Sequence, residues 1–235
     1  MHFIWKGVSS AAHGIVVRSL PPLGVPQKRD QSFKVAGRSG NLHVQDGAWE
    51  ETLKPVGIYL PYAQGAQVSP IARVAAYLSG TGRVSFSNLP GRYFEARLVN
   101  ALLLGAWVDD FDDLTATVAF QCQPFAYHEG AGDIVMSAPG IIDNPGTASA
   151  QPKLVVSATG DFQLSVGRST LAIEGADYDK DVVIDSYLMD AYQGAALIND
   201  RMTGEFPTLA PGANAVVWTG GVVSVRIEPN WRDLG

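Results

Sequence analysis

The sequence predicts a mainly β fold in two parts, with a single α-helix in the first part. Glycine and proline account for 25 and 14 of the 235 residues, and this composition favours turns and short strands over long helices. In the last third, apolar residues occupy every second position of several short runs, as in strands with one face on a core. These runs, which indicate a β-sandwich, are residues 161–166, 170–174, 181–185 and 222–228.

The composition narrows the range of functions. Apolar residues make up 46% of the chain, which is ordinary for a globular protein with a packed core. The formal net charge of −6 disfavours sequence-independent binding of nucleic acid, because such binding needs a basic surface. The single cysteine, Cys122, excludes an intrachain disulfide. The first residues lack the pattern of a signal peptide, and no apolar run approaches the roughly 20 residues that a membrane helix needs.

The first part begins with short strands that are separated by turn residues. Residues 14–18 predict one strand, which a proline pair ends. Between the prolines of the run 55–61, Val56, Ile58 and Leu60 alternate with other residues, and this predicts a second strand with one buried face. Further strands are predicted at residues 83–86 and 114–121, and a long strand pair is predicted around residues 93–104.

One amphipathic helix is predicted between these strands. Ser69 suits the N-cap, Pro70 suits the first helical position, and Gly80 suits a left-handed residue at the end. Apolar residues follow at i, i+3, i+4 and i+7 and form one stripe, which consists of Ile71, Val74, Ala75 and Leu78. The preferred interpretation is that the stripe covers the protein's own sheet, and a surface for a partner is the alternative.

A linker is predicted between Pro124 and Pro152, because this stretch is rich in turn and coil residues. The boundary between the two parts is placed between Gly130 and Asn144. The predicted domains are therefore residues 1–135 and 136–235.

Two acidic clusters are candidates for chemistry. Four aspartates lie between residues 109 and 113, and paired carboxylates of this kind occur in glycosidases and metal sites. A turn is the preferred interpretation, because aspartate favours turns and no second group of reactive residues accompanies the cluster. Residues 177–181 carry alternating carboxylates like the start of a calcium loop, but Val182 and Leu188 stand where an EF-hand has Gly and Glu. A polar hairpin loop is preferred there, and a looser calcium site is the alternative.

No reactive centre is visible elsewhere in the sequence. The four histidines are scattered without zinc-ligand spacing, and the sequence contains neither a phosphate loop nor a nucleophile elbow. Cys122 lies in a predicted strand, where a small buried apolar residue is a simpler interpretation than a reactive thiol. The sequence therefore predicts no catalytic, cofactor-binding or metal-binding residues, and favours a protein that binds or builds over an enzyme.

Several aromatic residues are candidates for contact with a ligand or a partner. Aromatic rings on a β-sandwich stack on sugars, and they are also enriched at protein interfaces. The candidates are Trp49, Trp107, Tyr187, Tyr192, Trp218 and Trp231. The sequence alone does not separate the two uses, and core or interface positions are preferred for most of these residues.

Short motifs follow one another in a specific order along nearly the whole chain. In the first part they are Phe3-Ile-Trp-Lys-Gly7, Gly37-Arg-Ser-Gly40, Asp46-Gly-Ala-Trp49, Leu78-Ser-Gly-Thr-Gly82, Pro90-Gly-Arg-Tyr-Phe94 and Phe120-Gln-Cys-Gln-Pro-Phe125. In the second part they are Asn144-Pro-Gly, Ile184-Asp-Ser186, the run 204–214 and the closing Pro229-Asn-Trp-Arg232. In this order and spacing, the motifs resemble the distal tail protein (Dit) family of long-tailed, siphovirus-type bacteriophages. The proline-rich stretch 21–29 departs from the family pattern.

The resemblance implies a fold and a role. The fold is an N-terminal split-barrel-like β domain with one α-helix, followed by a C-terminal galectin-like β-sandwich. The role is that of a structural virion protein at the tail tip, assembled in the host cytoplasm, which forms a hexameric ring between the tail tube and the tail-tip hub. The implied partners are copies of the chain, the tail tube protein, the tail-associated hub (lysin) protein and receptor-binding proteins. Enzyme activity, a cofactor, stable nucleic-acid binding and membrane insertion are not expected.

A subunit contact is predicted at Gly37, Arg38, Gly40 and Trp49, because a tight turn beside a large aromatic residue suits an interface. Edge strands are suited to pairing between subunits, since this pairing removes edges that otherwise invite aggregation. The main alternative function is a carbohydrate-binding β-sandwich that takes part in adsorption to the host surface. A glycosidase that acts through the aspartates at 109–113 is the third hypothesis.

Overall fold

The chain forms two compact units. The computed structural model describes residues 1–61, 69–99 and 113–235. The first unit comprises Met1–Ala126 together with Leu234–Gly235, and the second comprises Tyr127–Asp233. Because compactness does not test independent folding, the predicted domains 1–135 and 136–235 stay a prediction.

Strands dominate both units, which confirms the predicted mainly β fold. The described residues include one α-helix, α1 (Ser69–Tyr77), and two 3-10 helices, Ser10–His13 and Asn199–Arg201. The first ten strands are β1 (Phe3–Trp5), β2 (Val8–Ser9), β3 (Val16–Ser19), β4 (Lys28–Lys34), β5 (Asn41–Trp49), β6 (Thr52–Pro61), β7 (Thr81–Phe86), β8 (Arg92–Leu98), β9 (Asp113–Cys122) and β10 (Phe125–His128). The others are β11 (Ile134–Met136), β12 (Gly140–Asn144), β13 (Lys153–Val166), β14 (Ser169–Ile173), β15 (Val182–Asp185), β16 (Asp190–Gln193), β17 (Ala196–Leu197), β18 (Met202–Gly204), β19 (Gly212–Glu228) and β20 (Arg232–Leu234).

The main sheet of the first unit follows the order β2-β1-β7-β8-β9-β6-β3. Its longest ladder joins β6 to β9 in antiparallel register, from Thr52 opposite Cys122 to Pro61 opposite Asp113. The alternation predicted in β6 is present, because Val56, Ile58 and Leu60 are all buried. The strand therefore turns one face to the core, as its sequence pattern requires.

Aromatic rings fill the core of this unit. The ring centroid of Phe120 lies 5.1 Å from that of Trp5, 5.5 Å from that of Phe3 and 6.0 Å from that of Phe86. The tilted and edge-on arrangements suit the ring quadrupoles, and such pairs contribute about 0.5–1.5 kcal/mol each beyond the burial of their area. The first and last motifs of this unit, at residues 3–7 and 120–125, thus meet in one buried cluster.

The helix α1 packs against the same core. Val74 and Leu78 are buried, which supports the interpretation of the stripe as cover for the protein's own sheet. Ala75 is exposed, so its predicted place in the stripe was wrong, and half-buried Tyr77 packs on the core instead. The side chain of Ile71 lies outside the described part of the structure. Gly80 follows the helix with a φ of +73°, as predicted for a left-handed end.

Two long strands organise the second unit. Its sheet follows the order β11-β19-β13-β15-β16-β17, with β12 paired to β19, and β14 paired to both β13 and β18. Strand β13 pairs with β19 along most of its length, and the register shifts between Ser157 and Phe162. On one side of this irregularity β13 also pairs with β15, and on the other side it pairs with β14. Residues from both segments of β13 belong to one apolar core.

The linker predicted between Pro124 and Pro152 was wrong in part. This stretch contains β10, β11 and β12, the last of which pairs with residues 212–216 of β19. Its prolines and its other glycines lie in the connections between these short strands, whereas Gly140 begins β12. The turn residues were therefore interpreted correctly, and the strands between them were missed. Within the described residues, no helix is long and apolar enough to cross a membrane.

We predict that Gly220→Ala destabilises the second unit. Gly220 has a φ of +85°, and an added Cβ would meet the carbonyl oxygen of Asp161 and the Cα of Phe162. The left-handed backbone alone costs an L-residue about 1–2 kcal/mol, and the contact adds to this cost. The matched control is Gly175→Ala, where φ is +64° and the added Cβ meets nothing within 4 Å. Urea unfolding should give a larger loss for Gly220→Ala, and equal losses would contradict the prediction.

Candidate subunit interface

Strands β4 and β5 form a hairpin that stands apart from the main sheet. They pair with each other in antiparallel register, and within the described residues neither pairs with another strand. The backbone N–H of Glu50 donates to the carbonyl of Gln27 at 2.8 Å and closes the base of the hairpin. We call residues 28–49 the arm.

The two faces of the arm differ in chemistry. Phe33 lies opposite Leu42, and Val44 follows two residues after Leu42, so these three side chains share one face. The other face is polar, and its side chains bond to each other. His43 Nδ1 lies 2.7 Å from Asp30 Oδ2, and Asn41 Nδ2 donates to Ser32 Oγ at 2.8 Å.

The apolar face of the arm is open to solvent. Every residue from 27 to 47 is exposed, and Phe33, Leu42 and Val44 are 48%, 41% and 48% exposed. An isolated two-stranded hairpin is at best marginally stable in water, because it has no second layer to bury its apolar face. Apolar side chains that are grouped in this way on a surface mark an interaction site. The arm therefore has the properties of a segment that a partner completes.

The residues predicted for the subunit contact all lie on the arm or at its end. Gly37, Arg38 and Gly40 form the exposed loop between β4 and β5, and both glycines have positive φ values of 76° and 81°. Trp49 is half-buried at the opposite end of β5. At about 3.3 Å per residue, β5 separates the loop from Trp49 by roughly 26 Å. The premise that the turn lies beside the aromatic residue was therefore wrong, and the role of these four residues in a contact stays a prediction.

Charged side chains hold the base of the arm. The Lys28 ammonium lies 5.5 Å from the ring centroid of Trp49, opposite which it stands in the ladder. The Arg29 guanidinium lies 3.4 Å from Asp46 and 3.5 Å from Glu50. These pairs are exposed, so each contributes little to stability, but together they favour one orientation of the base. Sequence reasoning missed the arm as a hairpin, although its apolar residues alternate.

The other candidate residues that the structure describes do not form a second site. Within the described residues, no group of three or more His, Cys, Asp and Glu is placed to hold a metal ion. In the loop at 177–181, the Asp177 carboxylate accepts from Lys180 Nζ at 2.7 Å and from the Asp179 backbone N–H. The cluster at 109–113 lies outside the described residues, except for Asp113, which begins β9.

Two of the four candidate aromatic residues of the second unit lie in its core or against it. Trp231 is only 8% exposed and belongs to the core, and Trp218 packs against that core. Tyr192 is half-buried, and Tyr187 is exposed on the loop between β15 and β16. Trp107 lies outside the described residues. The arrangement does not present a platform of several exposed rings on which a sugar would stack.

Cys122 is a core residue. It is fully buried on β9, and burial raises the pKa of its thiol to about 12. The nearby Lys54 ammonium opposes this shift, and Glu51 adds to it. A thiol with such a pKa is protonated at neutral pH, and the thiolate is the reactive form. The interpretation of Cys122 as a small buried apolar residue is therefore supported.

The fold is shared with a solved phage protein. No protein-family model matches the sequence, and no curated protein matches it. Among solved structures, the chain is similar to SPP1 Dit (gp 19.1), with a TM-score of 0.75 over 97% of this chain and 98% of that one. The chain has the fold of a phage Dit protein. SPP1 Dit is described as a paradigm of the hub adsorption apparatus in phages that infect Gram-positive bacteria.

The similarity confirms the resemblance at the level of the fold. Only 14% of the aligned residues are identical, so the two chains share an arrangement of strands more than a set of side chains. The match covers nearly all of both chains, so it includes residues of both compact units. Function does not follow from fold alone, and it has to be argued from surfaces.

Proposed function

We propose that this protein is a structural component of a phage distal tail, where six copies form a ring between the tail tube and the tail-tip hub. The observation that carries the proposal is the similarity to SPP1 Dit over 97% of the chain, because it includes both units and not one common module. The ring would belong to the virion tail tip and assemble in the host cytoplasm. The proposed role involves no enzymatic step.

The arm supplies a physical reason for assembly. Its apolar face needs a surface to cover it, and a neighbouring copy is the partner that is always present in a homo-oligomer. Among the strands that the structure describes, the main sheet of the first unit ends in β2 on one side and β3 on the other, and these edges are candidates for contact with a neighbour. We propose that each arm packs on the next copy, and that the loop at Gly37, Arg38 and Gly40 and the base at Trp49 lie at the two ends of this contact.

Charge favours the same arrangement. The arm carries a formal charge of +2, from four basic residues and two aspartates, whereas the whole chain carries −6. The rest of the chain therefore carries −8. A basic arm is attracted to the acidic body of another copy, and this attraction fixes orientation more than it adds affinity. A head-to-tail contact of this kind closes into a ring when the rotation between copies allows it.

The proposed ring has further partners. The tail tube protein, the tail-associated hub (lysin) protein and receptor-binding proteins would bind its faces and periphery. DNA would pass through the ring, and the acidic net charge is compatible with a lumen that does not retain it. These partners are inferred from the proposed role alone, and no separate observation on the chain supports them.

We predict that the purified protein forms closed rings of six copies. Negative-stain images should show six-fold rings, and light scattering should give a mass of about six chains of 25.0 kDa. A head-to-tail contact that does not close would give filaments. Open filaments, or closed rings with another number of copies, would contradict the proposal.

We also predict that Phe33→Asp prevents ring formation without unfolding the protomer. The new carboxylate would lie on the apolar face of the arm, where the proposed contact leaves it buried and unpaired. Since Phe33 is exposed in the protomer, the free energy of unfolding should change by no more than about 0.5 kcal/mol.

The matched control for this variant is Ser32→Asp, which adds the same charge to the polar face of the arm. Ser32→Asp should still assemble. For both variants, light scattering measures assembly and thermal unfolding measures stability. Rings that persist in Phe33→Asp, or that are lost equally in both variants, would show that the apolar face is not the contact.

A further inference from the structure

Two helices of the first unit carry basic side chains and no acidic ones. The 3-10 helix Ser10–His13 contributes His13, and α1 contributes Arg73, while neither helix contains an aspartate or a glutamate. The chain as a whole is acidic, with a formal net charge of −6. A local basic surface on an acidic protein favours an anion as the ligand at that place.

The ring of His13 is held in place by packing. Its centroid lies 4.0 Å from that of Tyr77, with 19° between the ring planes, and the other neighbour of Tyr77 is the fully buried ring of Phe3 at 6.3 Å. The Tyr77 hydroxyl donates to the carbonyl of Val8 at 2.8 Å. Burial raises the pKa of Tyr77 to about 12, so the hydroxyl keeps its proton and this bond at neutral pH. The stack therefore fixes the plane in which the two imidazole nitrogens of His13 lie.

Arg73 lies one helical turn before Tyr77. Side chains four positions apart are neighbours on the surface of a helix, so Arg73 is next to the ring on which His13 stacks. Arg29 and Arg83 have carboxylate partners at 3.4 Å and 2.9 Å. The exposed Arg73 guanidinium has no such partner among the residues that the structure describes. Its N–H groups are therefore available to a ligand.

The two basic side chains line one pocket. The pocket has a volume of about 300 Å³, and the described residues that line it are Ala12, His13, Gly14 and Arg73. Ala12 and Gly14 are small, and Gly14 ends the 3-10 helix with a φ of +72°. Space thus remains between the imidazole and the guanidinium. The volume is at the lower end of the range for ligand pockets, about 300–1,000 Å³, and suits a small ligand.

We propose that this pocket binds the phosphoryl group of a small phosphate monoester, with Arg73 and His13 as the donors. The guanidinium presents a planar fork of N–H groups that pairs with two oxygens of a phosphate. The imidazole of His13 donates an N–H group in its neutral as well as its protonated form, and a further phosphate oxygen accepts it. The proposed site involves neither the arm nor the ring contact, so it goes beyond the proposed assembly.

The arrangement favours a phosphate monoester over a carboxylate. A carboxylate has two oxygens in one plane, and a bidentate guanidinium occupies both of them. A monoester has three free oxygens in a tetrahedral arrangement, so it accepts from donors on two helices at once. Its charge at pH 7 lies between about −1.5 and −2, which strengthens the attraction to Arg73. A phosphodiester, with two free oxygens and one charge, lacks both advantages.

Titration calorimetry with methyl phosphate at pH 7 tests the proposal on the full chain. Wild-type protein should bind methyl phosphate at one site, and acetate should bind at least about tenfold more weakly. Arg73→Gln removes the charge at an exposed position and should weaken methyl phosphate binding at least about tenfold. His13→Phe keeps a ring that stacks on Tyr77 but removes both nitrogens, so it should weaken binding as well. The matched control is Arg168→Gln, at an exposed arginine of the second unit, and it should bind like the wild type.

Several results would overturn the proposal. These are the absence of methyl phosphate binding to the wild type, equally tight binding of acetate, and unchanged binding in Arg73→Gln. Because Arg73 is exposed, its replacement leaves the core intact. Arg73→Gln therefore decides the question even if His13→Phe fails to fold.

Dimethyl phosphate distinguishes a monoester from the linking phosphate of a polymer. The diester should bind at least about tenfold more weakly than methyl phosphate, because it offers one oxygen and nearly one charge fewer. Equal or tighter binding of dimethyl phosphate would overturn the assignment to a monoester.

Discussion

A two-stranded hairpin cannot bury its own apolar face, and the proposed assembly depends on this constraint. Residues 28–49 place Phe33, Leu42 and Val44 on one open face, while hydrogen bonds satisfy the other face. Both units have their own buried cores, whereas the arm, within the described residues, has no second layer on its apolar face. The proposed assembly supplies that layer with a surface that each copy already carries.

The rest of the first unit is suited to presenting such an arm. Phe120 holds the rings of Phe3, Trp5 and Phe86 together, and these residues tie β1, β7 and β9 into one core. The arm ends at Trp49, shortly before β6, which forms the longest ladder of the sheet with β9. A well-packed sheet thus follows directly on a segment that itself has few contacts, as expected for an element that binds a partner.

The sequence correctly predicted the elements in which the spacing of apolar residues matches the burial of their side chains. Val56, Ile58 and Leu60 alternate and are buried, and Val74 and Leu78 follow the helical period and face the core. The arm was missed because its apolar residues alternate over only a few positions and stay exposed within the chain. The burial of Lys54 was missed because a lysine on a strand is ordinarily expected to be exposed. The burial of these side chains depends on tertiary contacts, which the spacing of apolar residues along the sequence does not reveal.

Hydrogen exchange of the arm tests the central claim most directly. Backbone amides of β4 and β5 are compared in the assembled protein and in the Phe33→Asp protomer, with the amides of β6 and β9 as the internal reference. The account predicts that arm amides exchange rapidly in the protomer and at least about 100-fold more slowly in the assembly, while the reference amides do not change. Equal protection of the arm in both states would contradict the claim that a neighbouring copy completes it.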